Sequence, residues 1–264
     1  MKHIVITGAY GGMGYAAAKA LAEQGFIVFA LDKKVRGPEP NIIPIETDVT
    51  DPESVSRAFR TVQSQTKELS AIVHFAGIYR LDSLVEISEE RFTEIFNVNL
   101  FGAFRINKAF LPLLGKGSRI LLTTSELAPL SPLPFTGIYA ITKTALERYA
   151  DSLRMELQLL GIDVAVIRPG AVKTDLLNVS INELDRFCRN TRVYTYNAAR
   201  FKRIVDRTEA KNVPPEAIAN TAVRALTARR PKYVYNLNRN PLLRLLNALP
   251  ARWQTAVIGR ILKE

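Results

Sequence analysis

Tyr139 and Lys143 stand four residues apart in Tyr139-Ala140-Ile141-Thr142-Lys143, the spacing that puts two side chains on one helix face a turn apart. A phenol titrates near ~10 and is a weak acid or base at neutral pH. An ammonium held beside it favours the phenolate and lowers that pKa. The pair then suits proton exchange with an alcohol or a carbonyl. Upstream, Ser125 ends the apolar run Arg119 to Thr124. It offers a hydroxyl where an open parallel sheet binds ligands, outside the strand ends. Tyr and Lys at this spacing also occur by chance on many helices, so the surrounding elements decide what the pair means.

Those elements read as alternating strands and helices. His3 to Thr7 is a short apolar strand, followed by Thr7-Gly8-Ala9-Tyr10-Gly11-Gly12-Met13-Gly14 and an apolar-periodic helix through Gln24. Glycines between a strand and a helix let the backbone approach a pyrophosphate, and the helix N-terminus offers unpaired N–H groups to its charge. Phe26 to Leu31 is the second strand, with Asp32 at its end. A carboxylate there accepts from both adenosine ribose hydroxyls and repels a 2′-phosphate, favouring NAD over NADP. Lys33 or Lys34, folded over the ribose, would offset that repulsion and leave NADP open. Asp48, beside Val49, follows the third strand and is placed to accept from the adenine amino group, or else is a polar strand-end residue. Asp51 and Pro52 read as the cap and first turn of a helix.

The fourth strand, Ala71 to Phe75, ends in His74-Phe75-Ala76-Gly77, where small residues let a cofactor lie against the backbone. His74 reads as a packed strand-end histidine, since no second metal ligand lies near it. One helix is expected from about Glu89 to Leu111, with Asn99 inside its apolar pattern; a buried asparagine needs hydrogen-bond partners. Leu127, Leu130, Leu133 and Phe135, broken by three prolines, read as a rigid apolar loop walling a pocket. A sixth strand, Asp163 to Ile167, is closed by Arg168-Pro169-Gly170-Ala171-Val172-Lys173-Thr174. A helix over about Pro215 to Ala228 and a strand over Tyr233 to Leu237 complete a seven-stranded set.

The pattern predicts an α/β fold, a Rossmann-type doubly wound parallel sheet with helices on both faces. The chain has 264 residues, 47% hydrophobic and 23% charged, which suits one large domain with a real core. We divide it into a dinucleotide-binding and catalytic domain over 1–237, with a substrate loop at 175–212, and a basic amphipathic tail at 238–264. No apolar run reaches the roughly 18 residues of a transmembrane helix. Met1 leads straight into a strand, so no signal peptide is expected. The single cysteine, Cys188, excludes an intrachain disulfide, and no metal cluster is visible; these features fit a reducing cytoplasm.

With these residues in place, the chain resembles the short-chain dehydrogenase/reductase family over residues 1 to about 237, with retinol and hydroxysteroid dehydrogenases among the similar members. Gly8-x-x-x-Gly12-x-Gly14 matches the family's cofactor turn, Asn99 its catalytic asparagine, Ser125 its serine, and Tyr139-x-x-x-Lys143 its tyrosine and lysine. Pro169-Gly170, with Val172 and Thr174, matches the segment that contacts the nicotinamide. The resemblance implies NAD(P)-dependent interconversion of an alcohol and a carbonyl. Tyr139 would exchange the proton, Ser125 would donate to the substrate oxygen, and Lys143 would bond the nicotinamide ribose. Asn99 would hold a water that links Lys143 to solvent. The cofactor set it implies is Gly8, Tyr10, Gly12, Met13, Gly14, Asp32, Asp48, Val49, Ala76, Gly77, Tyr139, Lys143, Pro169, Gly170, Val172 and Thr174. It also implies a homodimer or homotetramer paired through the helices after Glu89 and after Tyr139. One position departs: Phe75 replaces an asparagine whose side-chain hydrogen bonds it cannot make, so weaker local strand pairing is expected. The rival reading is a cofactor-sensing regulator or scaffold with the same fold, although such a chain has no chemical need for Tyr139 or Ser125.

The formal charge of +11 is concentrated late in the sequence. Residues 186–211 hold eight Lys/Arg against two Asp/Glu, and residues 224–264 nine against one. Solvated surface, attraction of an anionic substrate and contact with an anionic membrane all fit this pattern. Nucleic acid does not, because no binding motif accompanies the charge. The tail carries Leu242, Leu245, Leu246, Leu249, Trp253, Val257 and Ile261 at roughly helical spacing, broken at Pro250. Such a stripe is expected to pack on its own domain or a sister subunit rather than on lipid, which would bury Leu245, Leu249 and Trp253. Similar basic, leucine-rich tails occur in family members resembling retinol and steroid dehydrogenases, and that resemblance implies an apolar alcohol or ketone, steroid-, retinoid- or lipid-like, as substrate.

Overall fold

The computed structural model describes residues 2–207 and 212–263. Residues 208–211 of the expected substrate loop, and Met1 and Glu264, lie outside the described residues. The chain runs β1 (Lys2–Thr7), α1 (Gly12–Glu23), β2 (Phe26–Asp32), β3 (Ile42–Glu46), α2 (Pro52–Gln65), β4 (Leu69–His74) and α3 (Glu89–Phe96). A π-turn (Asn97–Phe101) leads into α4 (Gly102–Phe110), β5 (Leu114–Thr123), α5 (Gly137–Leu157) and β6 (Asp163–Pro169). Then come α6 (Asp175–Asn190), α7 (Thr195–Arg207), α8 (Pro215–Thr227), β7 (Val234–Leu237), α9 (Pro241–Asn247) and α10 (Ala251–Leu262).

Among the described residues the strands form one seven-stranded sheet in the order β3-β2-β1-β4-β5-β6-β7, parallel throughout. Strands buried on both faces need apolar residues at every position, which is why β1 and β2 read as continuous runs and not as alternations. Successive side chains still go to opposite faces. Ile4 and Ile6 join Ala17, Leu21, Ile218 and Ala222 of α1 and α8, while Val5 joins Val55, Ile106 and Phe110 of α2 and α4. On that second face α5 covers β5 and β6 through Leu146 and Ala150. Strand order reverses between β1 and β4, so the crevice at their carboxyl ends is where this architecture binds ligands.

Local chemistry sets the element ends. The Asp51 carboxylate accepts from the Glu53 N–H at 2.9 Å and Pro52 opens α2. The helix expected over Glu89 to Leu111 is interrupted by the π-turn, which buries Asn99 and turns its side chain onto Ile78. Strand pairing at Phe75 survives the loss of asparagine: the Phe75 N–H donates to the Thr7 carbonyl at 2.9 Å, and the ring fills the core instead. His74 is packed as expected, its Nε2 2.8 Å from the Asn107 Oδ1. Burial lowers its pKa to about 4, so it is neutral at physiological pH.

Two expectations are corrected. The segment after Thr174 is not a loop: it folds into α6 and α7, because Leu184, Phe187, Ala198 and Phe201 recur on helical faces and meet in one buried cluster with Leu81 and Leu262. The tail does form two helices separated at Pro250, but within the single chain Leu245 is 68% and Trp253 65% exposed, and Leu249 is exposed too, so these three do not pack on their own domain, the first of the two expected partners. Within the chain the tail packs instead through Leu262, buried, and Ile258, partly buried, against α6 and α7.

Candidate active site

Loops at the carboxyl ends of β1, β4, β5 and β6 surround a cavity of about 360 Å³. The glycine turn after β1 supplies one wall. Gly8 has φ +64°, and a Cβ there would lie 2.5 Å from the Ala76 backbone nitrogen. A Cβ on Gly14 would lie 2.0 Å from the Gly8 carbonyl oxygen. These two residues are glycine because the turn folds onto itself and onto the end of β4. Met13 reaches the cavity, and the Thr174 methyl packs over Gly12, so the turn and the β6 segment meet there. Helix α1 begins with no side-chain cap and no acid in its first turn, which leaves its N-terminus open to an anion.

The opposite wall carries Ser125, Tyr139 and Lys143. Ser125 lies just past β5, and Tyr139 and Lys143 lie on the first turns of α5. All three are buried and line the cavity. Ser125 hydrogen-bonds the Tyr139 hydroxyl and lowers its pKa, but burial dominates and pushes it up to about 12. Lys143 Nζ donates to the Thr123 carbonyl at 2.9 Å and sits 5.7 Å from the centre of the Tyr139 ring. Burial lowers its pKa to about 8. The expectation that Lys143 depresses the Tyr139 pKa is therefore not met. The ammonium is held by a backbone carbonyl, and low-dielectric surroundings set both titrations. In this state Tyr139 keeps its proton, the form that donates to a carbonyl oxygen.

Asn99 lies behind this pair. Its Oδ1 accepts from the Ile78 N–H at 2.8 Å, and its Nδ2 donates to the Ile78 carbonyl at 3.0 Å and to Thr142 Oγ1 at 3.1 Å. The side chain is thus occupied in tying the segment after β4 to α5. Gly77 sits against it: a Cβ there would be 3.3 Å from Asn99 Oδ1 and 3.6 Å from Lys143 Nζ.

The expected cofactor residues divide into three groups. Met13, Gly77, Tyr139, Lys143, Pro169, Gly170, Val172 and Thr174 line the cavity with Ser125. Gly8, Tyr10, Gly12, Gly14 and Ala76 form or adjoin the turn. Asp32 lies at the far end of the crevice, where its Oδ2 accepts from the Tyr10 N–H at 2.9 Å and its Oδ1 from the Lys34 N–H at 3.3 Å. Each oxygen keeps acceptor capacity. Lys33 does not fold over that position; it pairs with Asp48 at 2.8 Å. Asp48 also accepts from Thr50, through its N–H at 2.8 Å and its Oγ1 at 2.7 Å, so its carboxylate organises the turn after β3. Val49 is buried against Gly102. Glycine cradle, open helix end and terminal carboxylate together fit a dinucleotide.

Four contributors were not singled out from sequence. The Arg36 guanidinium lies 4.4 Å from the Tyr15 ring centre and 5.8 Å from that of Tyr10, a cation beside the glycine turn. Tyr79 packs 4.7 Å from Tyr139, ring centre to ring centre, and burial raises its pKa. Thr142, inside the Tyr-x-x-x-Lys run, holds Asn99. Glu126 lines the cavity and accepts from the Asn240 N–H at 2.6 Å; its pKa is raised by burial. Adjacency to Ser125 and Tyr139 was the available signal for Glu126 and Thr142. Arg36 and Tyr79 carried none. Of the proline-broken loop, Leu127 and Leu133 line the cavity, whereas Phe135 joins an aromatic cluster with Phe187, Tyr194 and Phe201. Leu177, Ile181, Phe201, Val205 and Leu243 close the remaining wall, leaving it largely apolar.

Comparison with known proteins agrees with this geometry. Residues 2–184 match the family model described as short chain dehydrogenase. Mouse estradiol 17-beta-dehydrogenase 2 is 37% identical over 189 residues, which cover 66% of the chain and 49% of that protein, so the chain spans about half the length of this relative. An uncharacterized oxidoreductase, YbbO, of Escherichia coli K12 is 33% identical over 241 residues, 89% of the chain and 84% of that protein. The crystal structure of a short chain dehydrogenase from Burkholderia cenocepacia J2315 in complex with NADP superposes with TM-score 0.73 at 21% identity, covering 100% of both chains. A serine, a tyrosine and a lysine brought together at the strand ends of this sheet, with the family model matched across them, make the chain a member of the short-chain dehydrogenase/reductase enzymes.

Proposed function

We propose that the protein interconverts a secondary alcohol and a ketone on an apolar substrate, of steroid, retinoid or lipid type, with NAD as its cofactor. The observation that carries this reading is that Ser125, Tyr139 and Lys143 share one wall of an otherwise apolar cavity, facing the glycine turn. An apolar lining rewards a substrate by the water-exposed area it removes, at ~25 cal/mol per Å². The mouse relative is named for a steroid, and its name agrees with such a lining.

The proposed chemistry follows from what each side chain can do. Tyr139 delivers the proton to the carbonyl oxygen in reduction and takes it from the alcohol in oxidation. Ser125 donates a hydrogen bond to the same oxygen, which carries most charge in the transition state. Lys143, fixed to Thr123, would hold the cofactor ribose, and Asn99 is a positioning residue that keeps the Ile78 segment and α5 in register. A nicotinamide bound beside Met13 and Thr174 would supply or accept the hydride. Asp32 supports NAD; Arg36, at the same end, is the residue through which NADP would be accepted. We also infer a cytoplasmic homo-oligomer, in line with the exposed Phe92, Phe101, Phe104 and Ile141 on the helices that pair subunits in this family. Among the described residues no helix is long and apolar enough to cross a membrane.

The test is a screen of apolar secondary alcohols and ketones with the wild type and Tyr139→Phe. Turnover should fall by about 10²–10⁴ in the variant. Turnover that survives the substitution would sink the assignment of Tyr139.

A further inference from the structure

We propose that the outer face of α9 and α10 is a docking surface for an anionic lipid bilayer. Leu242, Leu245, Leu249, Trp253 and Ile261 are all exposed along these two helices. Arg244, Arg252, Arg260 and Lys263 are exposed among them, and Arg239 precedes them. No Asp or Glu occurs between Glu216 and Glu264. Apolar side chains set among cations and no anions are the composition of a helix that lies in the headgroup region, where leucine and tryptophan enter the acyl boundary and arginine meets phosphate.

The stripe is held outward. On α10 the opposite side is fixed by buried Leu262 and Gln254, by Asn197 Nδ2 donating to the Leu262 carbonyl at 2.7 Å, and by Arg200 Nη1 donating to the Lys263 carbonyl at 2.9 Å. At the start of α9 the Asn240 N–H donates to Glu126, and at its end Asn247 Oδ1 accepts from the Ser131 N–H at 2.6 Å. Turning the leucines inward would break these bonds. A second copy of the chain is the poorer occupant, because two copies of this face would set like charges against each other with no carboxylate between them. An acidic protein would answer the charge but not the exposed leucines and Trp253 set among it.

Position gives the surface a purpose. Leu243 and Asn240 of this segment line the active-site cavity, and Ile181 and Val205, at the same mouth, are exposed. Docking by this face sets the cavity opening beside the bilayer, where an apolar substrate is concentrated. The docking argument rests on exposed residues and charge and stands apart from the substrate reading, so the two fail separately.

Trp253 is the only tryptophan in the chain and serves as reporter. The full-length protein is sedimented with phosphatidylcholine vesicles, with and without phosphatidylglycerol, while Trp253 emission is followed. Expected are co-sedimentation with the anionic vesicles, a blue shift, protection from an aqueous quencher, and weakening of all three by salt. Arg244→Gln with Arg252→Gln should lower binding about 30-fold. Leu242→Ser with Leu245→Ser should lower it roughly tenfold or more. All four positions are exposed, so melting temperature and turnover of soluble substrates should stay at the wild-type values. No binding to anionic vesicles, equal binding to neutral ones, or tail-dependent self-association with no vesicle binding would each overturn the proposal.

Discussion

Replacing Lys143 with methionine should stabilise the cofactor-free protein while abolishing turnover. Lys143 is 6% exposed, and burial lowers its pKa from 10.5 to about 8. At about 1.4 kcal/mol per pKa unit, holding the charge in the fold at neutral pH costs on the order of 3 kcal/mol. Methionine keeps the apolar stem but leaves the Thr123 carbonyl without the donor it has at 2.9 Å. That loss is about 1–2 kcal/mol. The net gain is about 1–2 kcal/mol, or about 2–8 °C in melting temperature for a chain of this size. The sign in pH is fixed as well. Below the folded pKa both states hold the proton and the full cost is present. Between about 8 and 10.5 only the unfolded chain holds it, so wild-type stability rises with pH relative to the variant. Thermal unfolding of both proteins from neutral pH to just above 9 is the assay, kept below 10 because the Tyr139 pKa of about 12 then makes stability fall. A variant that melts lower than wild type at neutral pH, or a gap that widens as pH rises, would refute the assignment of Lys143 as a buried, costly cation.

Glu147, one turn beyond Lys143, is 2% exposed and receives both Arg168 Nε, at 3.0 Å, and Arg168 Nη2; Glu147→Ala strands the guanidinium and should cost about 3–5 kcal/mol in chemical denaturation, whereas a joint apolar replacement of both should recover most of it. A loss under about 1 kcal/mol would show that water reaches the pair. Asp32→Ala should weaken NADH binding in a fluorescence titration and narrow the preference over NADPH, and Arg36→Ala should weaken NADPH selectively; a tighter NADPH complex in wild type would mean that Arg36 outweighs Asp32. Glu126→Gln should leave the melting temperature nearly unchanged, because its bond to the Asn240 N–H at 2.6 Å can be kept by an amide oxygen, while Glu126→Ala frees the start of α9 and should raise KM for apolar substrates more than it lowers kcat. An equal effect on both constants would count against a role for α9 in closing the cavity.

What could be read from the sequence was whatever depends on local pattern. Ile4, Val5 and Ile6 announce a doubly buried strand because both faces demand apolar side chains. Gly8 and Gly14 announce a turn because no Cβ fits 2.5 Å or 2.0 Å from backbone. The spacing of Tyr139 and Lys143 announces a shared helix face. Quantities set by surroundings were not legible. The same spacing that brings Lys143 near Tyr139 does not say that Lys143 will be held by Thr123, or that burial will lift the tyrosine to about 12. Arg36 and Tyr79 reach the site only through tertiary packing. The π-turn at Asn99 has no periodic signature, since one extra residue is absorbed by a bond to Ile78. Leu245 and Trp253 have the spacing of a buried stripe, and spacing alone cannot tell a covered face from an uncovered one.

On the proposed function, the two halves of the cavity, built by different physics, separate chemistry from selectivity. The reacting side hangs on strand ends and on α5, where backbone ladders and cores on both sheet faces leave little freedom. The selective side is α6, α7 and α9, which are joined to the rest by carboxylates. Glu183 pairs with Arg91 at 2.7 Å, and Asp82 with Arg186 at 2.7 Å. Glu86 accepts from the Arg192 N–H at 2.7 Å and from Thr191 Oγ1 at 2.6 Å. Glu126 holds Asn240 at 2.6 Å. Partly buried charge pairs with several donors resist the loss of one partner far more than they add net stability, so they fix where these helices sit and leave the apolar residues between them exchangeable. Substitutions at Leu177, Ile181, Val205 or Leu243 should therefore change which substrate is accepted while the Tyr139 and Lys143 titrations stay where they are.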